Sequence, residues 1–85
     1  MKKDVFVLTE INHYDSNEIH VYAYAYSRLP EAKEDMIAQF NLRLEDVFDS
    51  NESNIVDACD VWMELRKGEC QCTWGIECQS VEFDD

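Results

Sequence analysis

The sequence predicts an α+β fold: a three-stranded antiparallel sheet in the order ββααβ, with two helices packed on one face. Three observations lead there. Stretches 4–12 and 19–27 read as strands. Stretches 30–48 and 54–67 carry apolar residues at helical spacing. Residues 69–79 return to strand alternation. At 85 residues the chain fits a single domain, 1–85, with room for one modest core.

The first strand is Asp4 to Asn12. Val5, Val7, Thr9 and Ile11 share one face, and Phe6, Leu8 and Glu10 the other. His13 to Glu18 is a turn by composition. From Ile19 to Ser27 the alternation is unbroken. Ile19, Val21, Ala23 and Ala25 form one face; His20, Tyr22, Tyr24 and Tyr26 form the other. The helices are expected to cover the face of Val5, Val7, Ala23, Ala25 and the cysteines. The tyrosine face is then left open, unless Val81 and Phe83 of the tail fold onto it.

Pro30 suits the first turn of a helix from about 30 to 48, and Glu31, Glu34 and Asp35 carry the favourable sign for its start. Met36, Ile37, Phe40, Leu44, Val47 and Phe48 repeat at three and four, with Asn41 a candidate break. The segment 54–67 has two readings. Val61, Met63 and Leu65 alternate as in a strand, but Asp57, Asp60, Glu64 and Lys67 form one polar stripe at helical spacing. Ser53 suits an N-cap and Gly68 a C′ position, so a second helix is expected.

The third strand holds the densest candidate chemistry, Cys70, Cys72 and Cys78 within nine positions. They share a parity with Trp74 and Ile76, while Glu69, Gln71, Thr73, Glu77 and Gln79 take the other. This reads as a strand with one buried face and the cysteines as small core residues. Gly75 marks a bulge or a close backbone approach, and a second bulge is expected near Gln79-Ser80. A Cys-x-Cys pair on a strand is a poor disulfide and a poor zinc site, and the neighbouring Glu69 and Glu77 have the wrong sign for a reactive thiolate. Neither a metal nor a cofactor is expected.

Catalytic patterns are thin. His13 and His20 are the two histidines, and two glycines are too few for a phosphate loop. The chain is not expected to be an enzyme. With 19 acidic and 7 basic residues the net charge is −12, which disfavours direct contact with nucleic acid or an anionic membrane and favours a basic protein partner. The start of the chain lacks the apolar core of a signal peptide, and no run approaches a membrane span. A cytoplasmic protein with reduced thiols is expected.

Two surfaces are candidates for binding. The first is the acidic stripe Asp57, Asp60 and Glu64, with Glu45, Asp46, Asp49 and Glu52 before it; carboxylates at helical spacing repeat at about the interval of phosphates. The second is the tyrosine face of His20, Tyr22, Tyr24 and Tyr26, which would join copies of the chain into a homo-oligomer, a homodimer in the simplest case.

The stretch "VFVLTEINHYD…IHVYAYAYSRLPEAKEDM" resembles the short reading frames of phages and mobile elements. In size and acidity the chain resembles phage-encoded inhibitors of host defence, including anti-CRISPR proteins, several of which mimic nucleic acid on basic nuclease clefts. Immunity proteins of bacterial toxins are similar in length and charge. The resemblance implies an inhibitor acting by protein–protein contact on a nucleic-acid-handling enzyme, and it assigns no individual residue.

Overall fold

The computed structural model describes residues 2–15 and 18–82. Its strands and helix follow in the order β1 (Lys2–Asp15), β2 (Glu18–Tyr26), α1 (Leu29–Asp46), β3 (Ile55–Ala58), β4 (Trp62–Lys67) and β5 (Cys70–Glu82). All five strands form one antiparallel sheet, ordered β2-β1-β5-β4-β3. The protein is mostly β, with one α-helix among the described residues, so the expectation of three strands and two helices is overturned.

The error lies in 54–67. Where a second helix was expected, a single 3-10 turn at Glu52–Asn54 leads into the β3–β4 hairpin. Ile55 pairs with Leu65, Asp57 with Glu64 and Ala58 with Met63. The alternation of Val61, Met63 and Leu65 was therefore the informative pattern, and the polar stripe was a coincidence of spacing. A bulge between Ile55 and Asp57 shifts the register so that residues with helical spacing also meet across a hairpin. Gly68 ends no helix. It sits at φ 60° in a two-residue turn that pairs Lys67 with Cys70, a conformation that glycine adopts without strain.

The remaining elements are close to expectation. β1 begins earlier and runs to Asp15; of the turn expected over His13 to Glu18, residues 16–17 lie outside the described ones. β5 pairs without interruption from Lys2↔Glu82 to His13↔Gln71, so the bulge expected near Gln79-Ser80 does not form. Gly75 is instead a close approach. A Cβ there would lie 3.0 Å from the Trp62 ring. α1 is continuous through Asn41, with proline in its first turn.

The helix covers the cysteine face, as expected, but Val5, Val7, Ala23 and Ala25 lie on the other side of the sheet. β1–β5 pairing sets Phe6 beside Cys78 and Asn12 beside Cys72, and β1–β2 pairing sets Phe6 beside Tyr26 and Leu8 beside Tyr24. The cysteine and tyrosine parities thus share one face, the one under α1. Its core is Leu8, Met36, Phe40, Phe48, Leu65, Cys72 and Trp74, with Phe40 and Trp74 edge-on at 5.8 Å. The physical reason is a polar stripe on α1. Asp35, Gln39 and Arg43, each four residues apart, reach Tyr26, Trp74 and Glu10: Tyr26 Oη donates to Asp35, Trp74 Nε1 donates to Gln39 at 3.3 Å, and an Arg43 nitrogen lies 3.7 Å from a Glu10 oxygen. At the positions of Val5, Val7, Ala23 and Ala25 the other face offers these side chains nothing to bond. Val81 stands on that second face, paired with Lys3, and Phe83 lies outside the described residues.

Candidate functional site: the open face of the sheet

The consequence of a single covering helix is a sheet with one bare side. β1 presents Val5, Val7, Thr9, Ile11 and His13 there, β2 presents Ile19, Val21, Ala23 and Ala25, and β4 presents Trp62 and Glu64. Ile19 and Val21 are 60% and 61% exposed, and Trp62 is 43% exposed. Exposed apolar side chains are ordinary singly; a row of them on one face is a binding-surface signature.

Trp62 organises this face. Its ring lies on the bare backbone of Gly75, its cross-strand partner. Two shallow grooves flank it. One, of about 380 Å³, runs past Thr9, Ile11, Val61, Thr73 and Glu77. The other, of about 310 Å³, is bounded by Ile11, His13, Ile19, Glu64 and Gln71. Ile11, Trp62 and Thr73 are common to both, so the grooves adjoin. An aromatic floor with a carboxylate on either side suits a cationic side chain, which gains from the ring face and from the charge.

The acidic residues expected on one helix are dispersed. Glu45 and Asp46 close α1. Asp49, at φ 56°, pairs with Lys67 Nζ at 2.7 Å, and this contact holds its carboxyl below the usual range. Glu52 lies in the 3-10 turn. Asp60 is in the β3–β4 loop, 3.9 Å from Lys33. Asp57 and Glu64 do meet, directly opposite across β3 and β4. Glu64 accepts hydrogen bonds on one oxygen from Arg66 at 3.0 Å, a cation that offsets part of its charge, and from the neutral amide of Gln71 at 3.1 Å. These carboxylates form no array at helical spacing, because 54–67 is not a helix. The region keeps its charge nonetheless, with eight carboxylates and two cations between Glu45 and Glu69.

The tyrosine group divides as well. Tyr26 is tied to Asp35, and His20 lies against Tyr14 at 5.9 Å between ring centres. Tyr22 and Tyr24 remain exposed on the outermost strand.

The cysteines divide: Cys72 is buried and Cys70 half-buried, whereas Cys78, expected in the core with them, is exposed, as is Cys59. Cys72 is fully buried, and burial pushes its thiol up to about 12. Burial raises the Cys70 thiol too. Reactive and metal-binding thiols need the opposite shift. All four cysteines are unbridged, and among the described residues no group of three or more His, Cys, Asp or Glu is placed to hold a metal ion. The buried polar cluster of Glu10, Asn12 and Arg43 is equally structural. Asn12 Nδ2 donates to Glu10 at 2.6 Å beneath α1, and neither open-face groove is lined by these residues. Among the described residues no helix is long and apolar enough to cross a membrane.

Sequence reasoning passes over Trp62 and Val61, because a helix over 54–67 turns its apolar residues inward, and over Ile11, because its face is expected to lie under the helices. The signal was present. If Met63 and Leu65 point inward along a strand, Trp62 and Glu64 point outward. No family model matches the chain, and no curated protein or solved structure does.

Proposed function

We propose that this is a non-catalytic binding protein that seats a basic segment of a protein partner on the open face of its sheet, and that the partner is a nucleic-acid-handling enzyme which it inhibits. The observation that carries the reading is Trp62, held outward on Gly75 between grooves bounded by Glu77 and Glu64. The net charge of −12 supports it, since it speeds encounter with a basic surface and repels nucleic acid itself. So does the resemblance in size and acidity to phage-encoded inhibitors. Asp57 and Glu64, opposite each other in the β3–β4 hairpin, lie beside Trp62 and supply a charged rim to this surface, with Asp60 in the hairpin loop at its end.

The test is capture from host lysate at low and high salt, followed by titration of the purified captured protein. A basic nucleic-acid enzyme bound at low salt and released at high salt is expected. Trp62→Ser should weaken its binding at least about tenfold, the loss of an aromatic anchor. The triple change Asp57→Asn, Asp60→Asn and Glu64→Gln should weaken it and flatten its salt dependence. Binding untouched by Trp62→Ser would overturn the site, and recovery of no basic protein would overturn the function.

A further inference from the structure

β2 is the outer strand of the sheet, and its free edge is unlike the other. It is nine residues long, from Glu18 to Tyr26, and pairs evenly with β1 from Phe6↔Tyr26 to His13↔Ile19. Edge strands are ordinarily protected against pairing by a charge, a proline, a bulge or shortness. Between Ile19 and Leu29 this chain has no carboxylate, no lysine and no proline; Arg28, past the strand, is the one fixed charge. Against a net charge of −12, that makes β2 the stretch where two copies of so acidic a chain can approach without like charges meeting.

We propose that β2 pairs antiparallel with β2 of a second copy, giving a two-fold dimer with a continuous ten-stranded sheet. The symmetry follows from the geometry. An antiparallel pair related by a two-fold has its axis perpendicular to the sheet, so both helices lie on one side and both open faces on the other. Residues of like parity must then face each other. Full overlap of Glu18–Tyr26 with itself puts Tyr22 on the axis. In that register Ile19 sits opposite the partner's Ala25 and Val21 opposite the partner's Ala23. Each large side chain meets a small one, on the face where Ile19 and Val21 are the most exposed apolar residues described. The dimer places the two Trp62 grooves on the same side, seven strand spacings or about 34 Å apart.

This pairing is independent of the basic partner, and salt separates the two. Screening should strengthen association between two copies of charge −12 and weaken binding of a basic protein. The experiment is sedimentation equilibrium of the unmodified chain, then of Tyr22→Lys, Tyr22→Glu and their equal mixture. Tyr22 is 44% exposed, and circular dichroism checks that each variant is folded. The unmodified chain should run at twice its monomer mass, more firmly at high salt. Each variant alone should dissociate at least about ten times more readily, with like charges on the axis. Their mixture should recover the dimer. A monomeric unmodified chain overturns the proposal, as do variants that remain dimeric, or a mixture that stays monomeric. Hydrogen exchange on the unmodified chain gives a second reading without mutation: outward amides of β2 should slow as concentration rises, and amides that do not respond overturn it.

Discussion

The two tryptophans of this protein stand one strand apart on opposite faces of the same sheet, and their fates differ. Trp74 is fully buried under α1, edge-on to Phe40, its indole nitrogen bonded to Gln39. Trp62 lies on Gly75 and is 43% exposed. Hydrophobicity does not separate the faces, since the open one has Val5, Val7, Ile11, Ile19 and Val21, and the covered one includes Glu10 and Asn12. What distinguishes the covered face is its polar contacts with the helix. The covered face is the one whose Tyr26, Trp74 and Glu10 answer Asp35, Gln39 and Arg43 on the helix. A buried polar group without a partner costs about as much as a large side chain gains on burial.

The largest test of this contrast is truncation of each ring. Trp74→Ala should cost about 3–5 kcal/mol in urea unfolding. Trp62→Ala should cost no more than about 1 kcal/mol. Similar losses for the two would erase the distinction between the faces. Next in size is the polar match itself. Arg43→Met removes the cation beside buried Glu10 and should cost about 1–3 kcal/mol, and adding Glu10→Gln should recover part of it. A double change that simply sums the single ones would show that the pair is not coupled.

A smaller effect is expected from Gly75→Ala. The new methyl would meet the Trp62 ring at 3.0 Å and push it outward, at about 1 kcal/mol. Trp62 emission should shift to the red while that of Trp74 stays put, resolved in single-tryptophan backgrounds. The mildest test is alkaline. Burial, then the hydrogen bond to Asp35, raises the Tyr26 phenol from 10.0 to about 12. The folded state therefore holds this proton where the unfolded chain releases it, so its contribution is intact below pH 10 and fades as pH rises towards 12. Cys72, raised by burial to about 12, fades in the same direction from nearer pH 9. Tyr26→Phe should delete the latest step in the phenolate absorbance titration.

These contrasts also explain what could be read in advance. β1, β2, α1 and β5 were legible, because each carries a period that only one backbone state satisfies over many residues. The 54–67 segment was not. Its turn, Cys59-Asp60-Val61, contains no glycine, asparagine or proline to announce a hairpin, and its Asp57, Asp60, Glu64 and Lys67 fit a helix by count. Which residues of β1 and β2 share the covered face was illegible for another reason. It depends on the β1–β5 register, which joins residues distant in the chain, and on hydrogen bonds between side chains that no single-strand pattern contains. The candidate site reflects both gaps: Trp62 falls in the segment read as a helix, and the face of Val5, Val7, Ala23 and Ala25 is read as covered, while Tyr22 and Tyr24 are exposed as expected.

The seam between β1 and β5 has a kinetic side. Every other strand pair joins neighbours in the sequence, while this one brings Lys2 to Glu82 and His13 to Gln71. The chain thus divides into two local pieces, the β1–β2 hairpin with its helix and the β3–β4–β5 meander, which meet along the middle of the finished sheet. Until they meet, each carries a long strand with an unsatisfied flank, and closing the gap spends chain entropy before any contact across it is gained. The rate-limiting step of folding is expected at that junction. Substitutions at Leu8 and Ile76, which face each other across it, should slow refolding, whereas those in the β3–β4 hairpin should chiefly hasten unfolding.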